Sequence, residues 1–246
     1  MNIEIDIKSV SYGKKRILKN ISFSPSECSL TAVIGKNGSG KSTLISAIAG
    51  LISYEGSILL GDNEVKATVG RELAKMLSAM PQELRRPHIS VSRLVSYGRS
   101  PYLKLGEKLS ESDLNIISTS LAAADLLEIQ DRYLDCISGG ELRRAYFAMM
   151  LAQSTGIVLL DEATAFMDAD FERRFATMQR ELACSKTVVS VMHNLGMAVE
   201  YADAILLLDR GEQLFYGSPS ELLKTGIIER TFSVERYSAD GRIFFA

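Results

Sequence analysis

Gly35-Lys36-Asn37-Gly38-Ser39-Gly40-Lys41-Ser42-Thr43 follows Leu30-Thr31-Ala32-Val33-Ile34, a short uncharged run, and enters a helix-compatible segment that reaches Ala49 and stops at Gly50. A β-branched apolar run of this length predicts a strand buried on both faces, and the segment after it predicts a helix. The stretch therefore satisfies G-x-x-x-x-G-K-[ST] in the strand-to-helix setting that the pattern requires. Each residue type has a physical task. Gly35, Gly38 and Gly40 let consecutive backbone N–H groups, with those of Asn37 and Ser39, turn toward one anion. The helix start adds partial positive charge, Lys41 reaches terminal phosphates, Ser42 offers a hydroxyl to Mg²⁺, and Thr43 reaches the first phosphates. The loop predicts a nucleoside triphosphate site.

Working outward, residues 1 to about 80 read as strand-rich. The amino terminus, Met1 to Ile7, alternates polar and apolar like a half-exposed strand; Ile17 to Phe23 and Ser57 to Leu60 come next, and a helix is expected from about Gly70 to Leu77. Between about 83 and 155 the spacing turns helical at Ser92 to Gly98, Glu111 to Leu127 and Glu141 to Gln153. Beyond it β and α alternate: Ile157 to Leu160, Phe171 to Leu182, Thr187 to Met192, Met197 to Tyr201 and Ala204 to Leu208. Such alternation means a mostly parallel sheet with crossovers, hence an α/β fold. A short helix near Ser220 to Lys224 precedes Val234 to Tyr237 and Arg242 to Phe245, a hairpin around Ala239-Asp240-Gly241.

Composition narrows the class. With 246 residues and 46% hydrophobic content the chain supports a packed core. Its formal net charge of -2 supplies no basic footprint for nucleic acid. No apolar stretch approaches the length of a membrane span, and the amino terminus lacks the apolar core of a signal peptide. Cys28, Cys136 and Cys184 are widely spaced, odd in number and without C-x-x-C spacing, which predicts reduced thiols used as small core residues.

Ligands of an open parallel sheet collect at the carboxyl ends of its strands. Asp161 and Glu162 directly follow Ile157-Val158-Leu159-Leu160. Asp161 is placed to hold Mg²⁺, and Glu162 to polarise the water that attacks a γ-phosphate. His193 comes after Val188 to Met192 and can reach the γ-phosphate or that water. Gln82, after Ala79-Met80-Pro81, can touch both Mg²⁺ and the water. A second signal is Ile137-Ser138-Gly139-Gly140-Glu141. Ser138 and Glu141 form a capping box, which explains both residues but not the glycines between them. Gly139 and Gly140 leave a helix start bare enough for a phosphate to approach.

Two phosphate cradles about a hundred residues apart, in this order, resemble the ATP-binding cassette (ABC) ATPases. The resemblance covers about residues 1 to 220. It identifies Tyr12 as the adenine-stacking aromatic, Gly35 to Thr43 as Walker A, Gln82 as Q-loop, Ser138 to Glu141 as signature, Asp161 and Glu162 as Walker B, Asp168 as D-loop and His193 as switch. It implies a P-loop NTPase core (1–82 and 156–220) with an antiparallel β-subdomain, a helical subdomain (83–155) and a carboxyl-terminal extension (221–246). It also implies that two copies pack head to tail, so that each ATP with its Mg²⁺ sits between one copy's loop and the other's signature. Ile137 stands where the family has Leu, Glu141 where it has Gln, Ala163 where it has Pro, and Ala165-Phe166-Met167-Asp168 in place of SALD. Ser90 to Tyr102 is similar to a stretch of the ATPases that serve importers of iron-siderophores, haem and vitamin B12. That implies permease partners, an indirect link to a substrate-binding protein, and a peripheral position on the cytoplasmic face of the membrane. Within the stretch Arg99 has a plainer reading as a solvated charge or an intradomain salt bridge. Other classes are a soluble ABC ATPase of translation or DNA repair, another class of ABC transporter, and a small nucleotide kinase or GTPase. The last would leave the signature unexplained.

Overall fold

The computed structural model describes residues 1–80, 83–161, 169–239 and 242–246, with backbone alone at 169–171, 239 and 242. In chain order it contains β1 (Ile3–Tyr12), β2 (Lys15–Phe23), β3 (Leu30–Gly35), α1 (Lys41–Ile48), β4 (Glu55–Leu60), β5 (Asn63–Glu64), α2 (Gly70–Met76), β6 (Leu77–Met80), α3 (Val91–Ser96), α4 (Glu111–Ala123) and α5 (Gly139–Ala152). Next come β7 (Ile157–Leu160), α6 (Ala169–Ala183), β8 (Thr187–Val191), α7 (Leu195–Tyr201), β9 (Ala204–Asp209), β10 (Glu212–Gly217), α8 (Pro219–Thr225), α9 (Ile227–Phe232), β11 (Arg236–Ala239) and β12 (Arg242–Phe245). The chain divides into two compact units, residues 1–68 with 156–246, and residues 69–155. The second unit begins ahead of residue 83 and takes in α2 and β6.

The first unit is built on a sheet ordered β5-β4-β1-β2-β10-β9-β3-β8-β7. Strands β9, β3, β8 and β7 run parallel to one another, whereas β1 pairs antiparallel with β2 and β4. Every residue of β3, β7 and β8 is buried, which is why their sequences are unbroken apolar or small runs. β1 instead alternates buried and exposed positions over its first half, as its polar-apolar alternation predicts. The periodicity does not predict β10: Glu212-Gln213-Leu214-Phe215-Tyr216 lacks strict alternation. It pairs antiparallel with β9 through the turn at Arg210 and Gly211, and a register shift between Gln213 and Phe215 breaks the pattern.

The second unit closes around Val91, Leu94 and Val95 of α3, Ile117 and Leu121 of α4, and Leu142, Ala145 and Ala148 of α5, with Leu134 and Ile137 in the same cluster. Ile137 is thus a core residue, and a branched aliphatic of Leu's size fills the position. Ser110 opens α4 with a capping box through Asp113. Arg99 is the intradomain salt bridge: Nε donates to Asp113 Oδ1 (2.8 Å), Nη1 donates to the Ala152 carbonyl (2.8 Å), and the guanidinium lies over the Tyr102 ring (4.1 Å). Both charged side chains are buried.

The three cysteines correct an expectation. Cys28, Cys136 and Cys184 are free but exposed, not core residues. Cys28 occupies a turn at φ 50°, Cys136 ends a single 3₁₀ turn, and Cys184 comes after the last turn of α6. All three sit where an element ends, and ends face water.

The Ser110 hydroxyl, then the Arg99 guanidinium, pull the Asp113 carboxyl down from 3.8 to about 2. A carboxylate lowered on folding stabilises the fold above its unfolded pKa, and that stabilisation fades as pH falls through the folded value. Asp113→Ala, which strands Arg99, should cost about 3 kcal/mol at neutral pH. In denaturant titrations the gap from the parent chain should hold down to about pH 4 and close toward pH 2. A gap independent of pH would contradict the ion-pair account.

Candidate functional site

The register of the parallel strands levels their carboxyl ends. Val33 pairs with Val191 and Leu160 with Ser190, and the Met192 N–H donates to the Val33 carbonyl (3.1 Å). Gly35, Asp161 and His193 therefore leave the same edge of the sheet. Each is legible in the sequence from its position at the end of an apolar run, and register turns three separate positions into one rim.

The glycine loop is tightly seated. Gly38 and Gly40 have φ of 79° and 99°, the left-handed region that side chains disfavour. A methyl group on Gly40 would run into the Leu18 side chain of β2, and one on Gly35 into the Leu208 carbonyl of β9. The Gly211 N–H donates to the Ser39 carbonyl (3.1 Å), and the Ser39 N–H to the Lys36 carbonyl (3.1 Å). Leu18, Leu208 and Gly211 thus form the loop's walls. Sequence reasoning misses them, and the only signal available is the glycine that ends the Asp209-Arg210-Gly211 turn.

Below the loop, Lys41 is buried, and its Nζ donates to the carbonyls of Gly35 (2.8 Å) and Lys36 (3.1 Å). Helix α1 begins at Lys41 with Gly40 as its N-cap and no side chain capping it. The first N–H groups of a helix have no partner within it, so this end is suited to an anion. Among the described residues Ser39 Oγ is buried without a hydrogen-bond partner. Ser42 Oγ donates to Asp161 Oδ1 (3.1 Å), which brings two hard oxygen ligands together beside the loop. Among the described residues no group of three His, Cys, Asp or Glu side chains forms a metal cage. A Ser-Asp pair that leaves the remaining positions to water and phosphate is the donor set that suits Mg²⁺.

Of the other predicted residues, Tyr12 ends β1 opposite Lys15, beside Gly13 at φ 59°, and is 53% exposed, so its ring is not core packing. Asn37 is exposed at the loop's tip, and Thr43 lies half-buried in the first turn of α1. His193 is exposed just past β8, next to Asn194, whose side chain caps α7 by accepting from the Met197 N–H (3.1 Å). Gln82, Glu162 and Asp168 lie outside the described residues, as do Ala163 and Ala165 to Met167.

Ser138 to Glu141 belong to the second unit. The capping box is complete: the Glu141 N–H donates to Ser138 Oγ (3.2 Å) and the Ser138 N–H to Glu141 Oε2 (2.7 Å). Such a cap stabilises a helix by about 1 kcal/mol. The Ser138 side chain and backbone N–H, then Arg144 and Arg132, hold the Glu141 carboxyl below its ordinary range, so it stays ionised and turned onto its own cap. Glu at this position keeps the cap that Gln would make. Gly139 and Gly140 have ordinary negative φ, and among the described residues a Cβ on either would meet nothing within 4 Å. Nothing among the described residues requires these glycines, although each weakens a helix by about 0.5–1 kcal/mol relative to Ala.

A glycine loop around a buried lysine, feeding a helix at the carboxyl edge of a parallel sheet with a Ser-Asp oxygen pair beside it, defines a P-loop nucleoside triphosphatase. The pattern of the family described as ABC transporter matches residues 18–165, more than half of the chain. The chain belongs to that family, as an ATP-binding and ATP-hydrolysing subunit. It is 34% identical, over 94% of its length and 93% of the relative's, to the petrobactin import ATP-binding protein YclP of Bacillus subtilis. It is 30% identical, over 92% and 85%, to the ferric enterobactin transport ATP-binding protein FepC of Escherichia coli. Among solved structures, CbiO1 of Clostridium perfringens, part of the ABC transporter complex CbiONQ, shares the fold with a TM-score of 0.77. It is 22% identical, and the match covers 93% of this chain and 92% of that one.

Gly40→Ala should strain the loop by about 1–3 kcal/mol through its φ and the Leu18 contact. Affinity for a fluorescent ATP analogue should then fall about tenfold or more. Gly139→Ala, which meets nothing among the described residues, should leave the affinity of the isolated monomer unchanged. Equal losses in the two variants would contradict the assignment.

Proposed function

We propose that the chain is the ATP-hydrolysing subunit of an importer for iron chelates of the siderophore class, with haem and cobalamin as the neighbouring possibilities, and that it works as a head-to-tail pair. The observation that carries the pairing is the bare glycine face at the start of α5, capped from within and open to whatever docks from outside. The relatives' names support the cargo, since petrobactin and ferric enterobactin are their stated substrates.

In this reading the N–H groups at the start of α1 and the Lys41 ammonium hold the β- and γ-phosphates, and Tyr12 stacks on adenine. Ser42, Asp161 and Gln82 would hold Mg²⁺, which when bound would supply positive charge to offset that of the phosphates. Glu162 accepts a proton from the attacking water as that water's oxygen bonds to the γ-phosphorus and the bond to the β-phosphate oxygen breaks. His193 and Gln82 orient the water. The second copy supplies the Ser138 hydroxyl and the N–H groups of Gly139 and Gly140 to the γ-phosphate, and Asp168 lies across the same contact. Preorganised donors of this kind contribute about 3 kcal/mol each to the transition state.

Among the described residues no helix is long and apolar enough to cross a membrane. Transport in this reading belongs to permease subunits that hold the pair at the cytoplasmic face of the inner membrane, with a substrate-binding protein delivering cargo on the far side. ATP draws the two copies together, the helical units move with them, and hydrolysis resets the pair.

Glu162→Gln should keep ATP binding, lose turnover by about 100-fold or more, and form a dimer in size-exclusion chromatography only with ATP. Turnover at the parent rate would refute the general-base assignment. Expressed at natural levels and extracted from membranes, the protein should co-purify with an integral membrane partner. Recovery only with ribosomes or DNA would refute the transporter reading.

A further inference from the structure

The segment 85–90, just beyond Gln82, is joined at many points to the segment 130–138 that leads into the signature helix. The Leu134 N–H donates to the Ile89 carbonyl (3.0 Å), the Val91 N–H to the Arg132 carbonyl (2.9 Å) and the Ser92 N–H to the Gln130 carbonyl (2.8 Å). Ser90 and Tyr133 form an isolated antiparallel bridge. His88 stacks on Tyr133 with ring centres 4.2 Å apart, and its Nδ1 lies 2.9 Å from Asp135 Oδ2. Tyr146 of α5 donates its hydroxyl to the Arg85 carbonyl (2.9 Å).

One side chain in this set reaches the signature itself. Arg86 Nη1 donates to the carbonyls of Leu134 (3.1 Å) and Ile137 (2.6 Å). The Ile137 carbonyl belongs to the peptide whose N–H, on Ser138, is taken by Glu141 (2.7 Å). That peptide is therefore held at both ends, by a guanidinium on one side and a carboxylate on the other. Its orientation fixes where Ser138 Oγ and the next two N–H groups point. Nothing in the sequence pattern marks Arg86, one of two adjacent arginines before Pro87.

We propose that Arg86 is a positioning residue for ATP hydrolysis. It locks the peptide before Ser138, so that the segment after Gln82 and the phosphate-facing start of α5 move as one body. This rests on the reading that Ser138 to Glu141 complete the site of a second copy. A displacement at residues 85–90, whether set by nucleotide at Gln82 or by a docked partner, is then passed directly to the donors that face the γ-phosphate. Misplacing such donors by about 1 Å is enough to cost up to about 100-fold in rate.

The test compares Arg86→Ala, Arg86→Lys and Ser138→Arg, each in the full chain. The readouts are the thermal unfolding midpoint, affinity of the monomer for a fluorescent ATP analogue, steady-state KM and kcat, and ATP-dependent dimerisation in a Glu162→Gln background. Arg86→Ala should keep the midpoint and the monomer's affinity, and lower kcat about tenfold or more with little change in KM. Arg86→Lys, whose ammonium can still meet a carbonyl, should recover part of kcat. A parent kcat in Arg86→Ala overturns the proposal, and so does a loss matched by a lowered midpoint with kcat per folded molecule unchanged. If Ser138→Arg blocks dimerisation while Arg86→Ala turns over normally, the role of Arg86 falls and the two-copy site stands. If Ser138→Arg dimerises normally, the two-copy reading itself falls.

Discussion

The level carboxyl ends of β3, β8 and β7 are the constraint on which the rest of the first unit depends. Parallel pairing of Val33 with Val191 and of Leu160 with Ser190 brings a loop, an aspartate and a histidine from distant parts of the chain to one edge. All three strands are buried throughout, so a slip of one residue would break the packing on both faces and is strongly disfavoured. Packing precision thereby becomes chemical precision: Ser42, in the helix that β3 feeds, and Asp161, just past β7, meet at 3.1 Å across strands that cannot slide. The loop is fixed by the same sheet, since Leu18 of β2 and the Leu208 carbonyl of β9 leave no room for side chains at Gly40 and Gly35.

The second unit solves a different problem. In the proposed pair, a helix start that receives phosphate must keep its N–H groups open, yet it must also be capped. Ser138 and Glu141 cap each other and the glycines between them stay bare, so stability and access are assigned to different residues of one turn. The carboxylate of Glu141 is directed onto the Ser138 N–H, which explains how an acidic residue is tolerated where an anion is expected to bind. Arg86 then fixes the preceding peptide from outside the helix.

What is legible in the sequence divides along physical lines. Buried parallel strands are readable because burial on both faces forces uncharged β-branched runs, and β3, β7 and β8 have the ends expected of them to within a residue or so. The glycine loop is readable because chain geometry and anion chemistry restrict the same positions. β10 is not, since a register shift hides its alternation. The cysteines are misplaced because average burial says nothing about element ends, where all three lie. Arg99, set in a stretch that looks like a family mark, is a buried ion pair with Asp113; a charge whose partner is fourteen residues away leaves no local pattern. Arg86 escapes for the same reason, its acceptors being backbone carbonyls about fifty residues on.

We propose a pairing in which each ATP is held by the loop of one copy and the signature of another. Its most direct test mixes two variants that are each inactive alone, Lys41→Ala and Ser138→Arg. A mixed pair has one site in which both halves are damaged and one in which both are intact. Mixing should restore ATP hydrolysis and tightly held ATP that neither variant shows alone. If the mixture stays as inactive as its components, and no ATP is retained, then loop and signature do not meet across two copies.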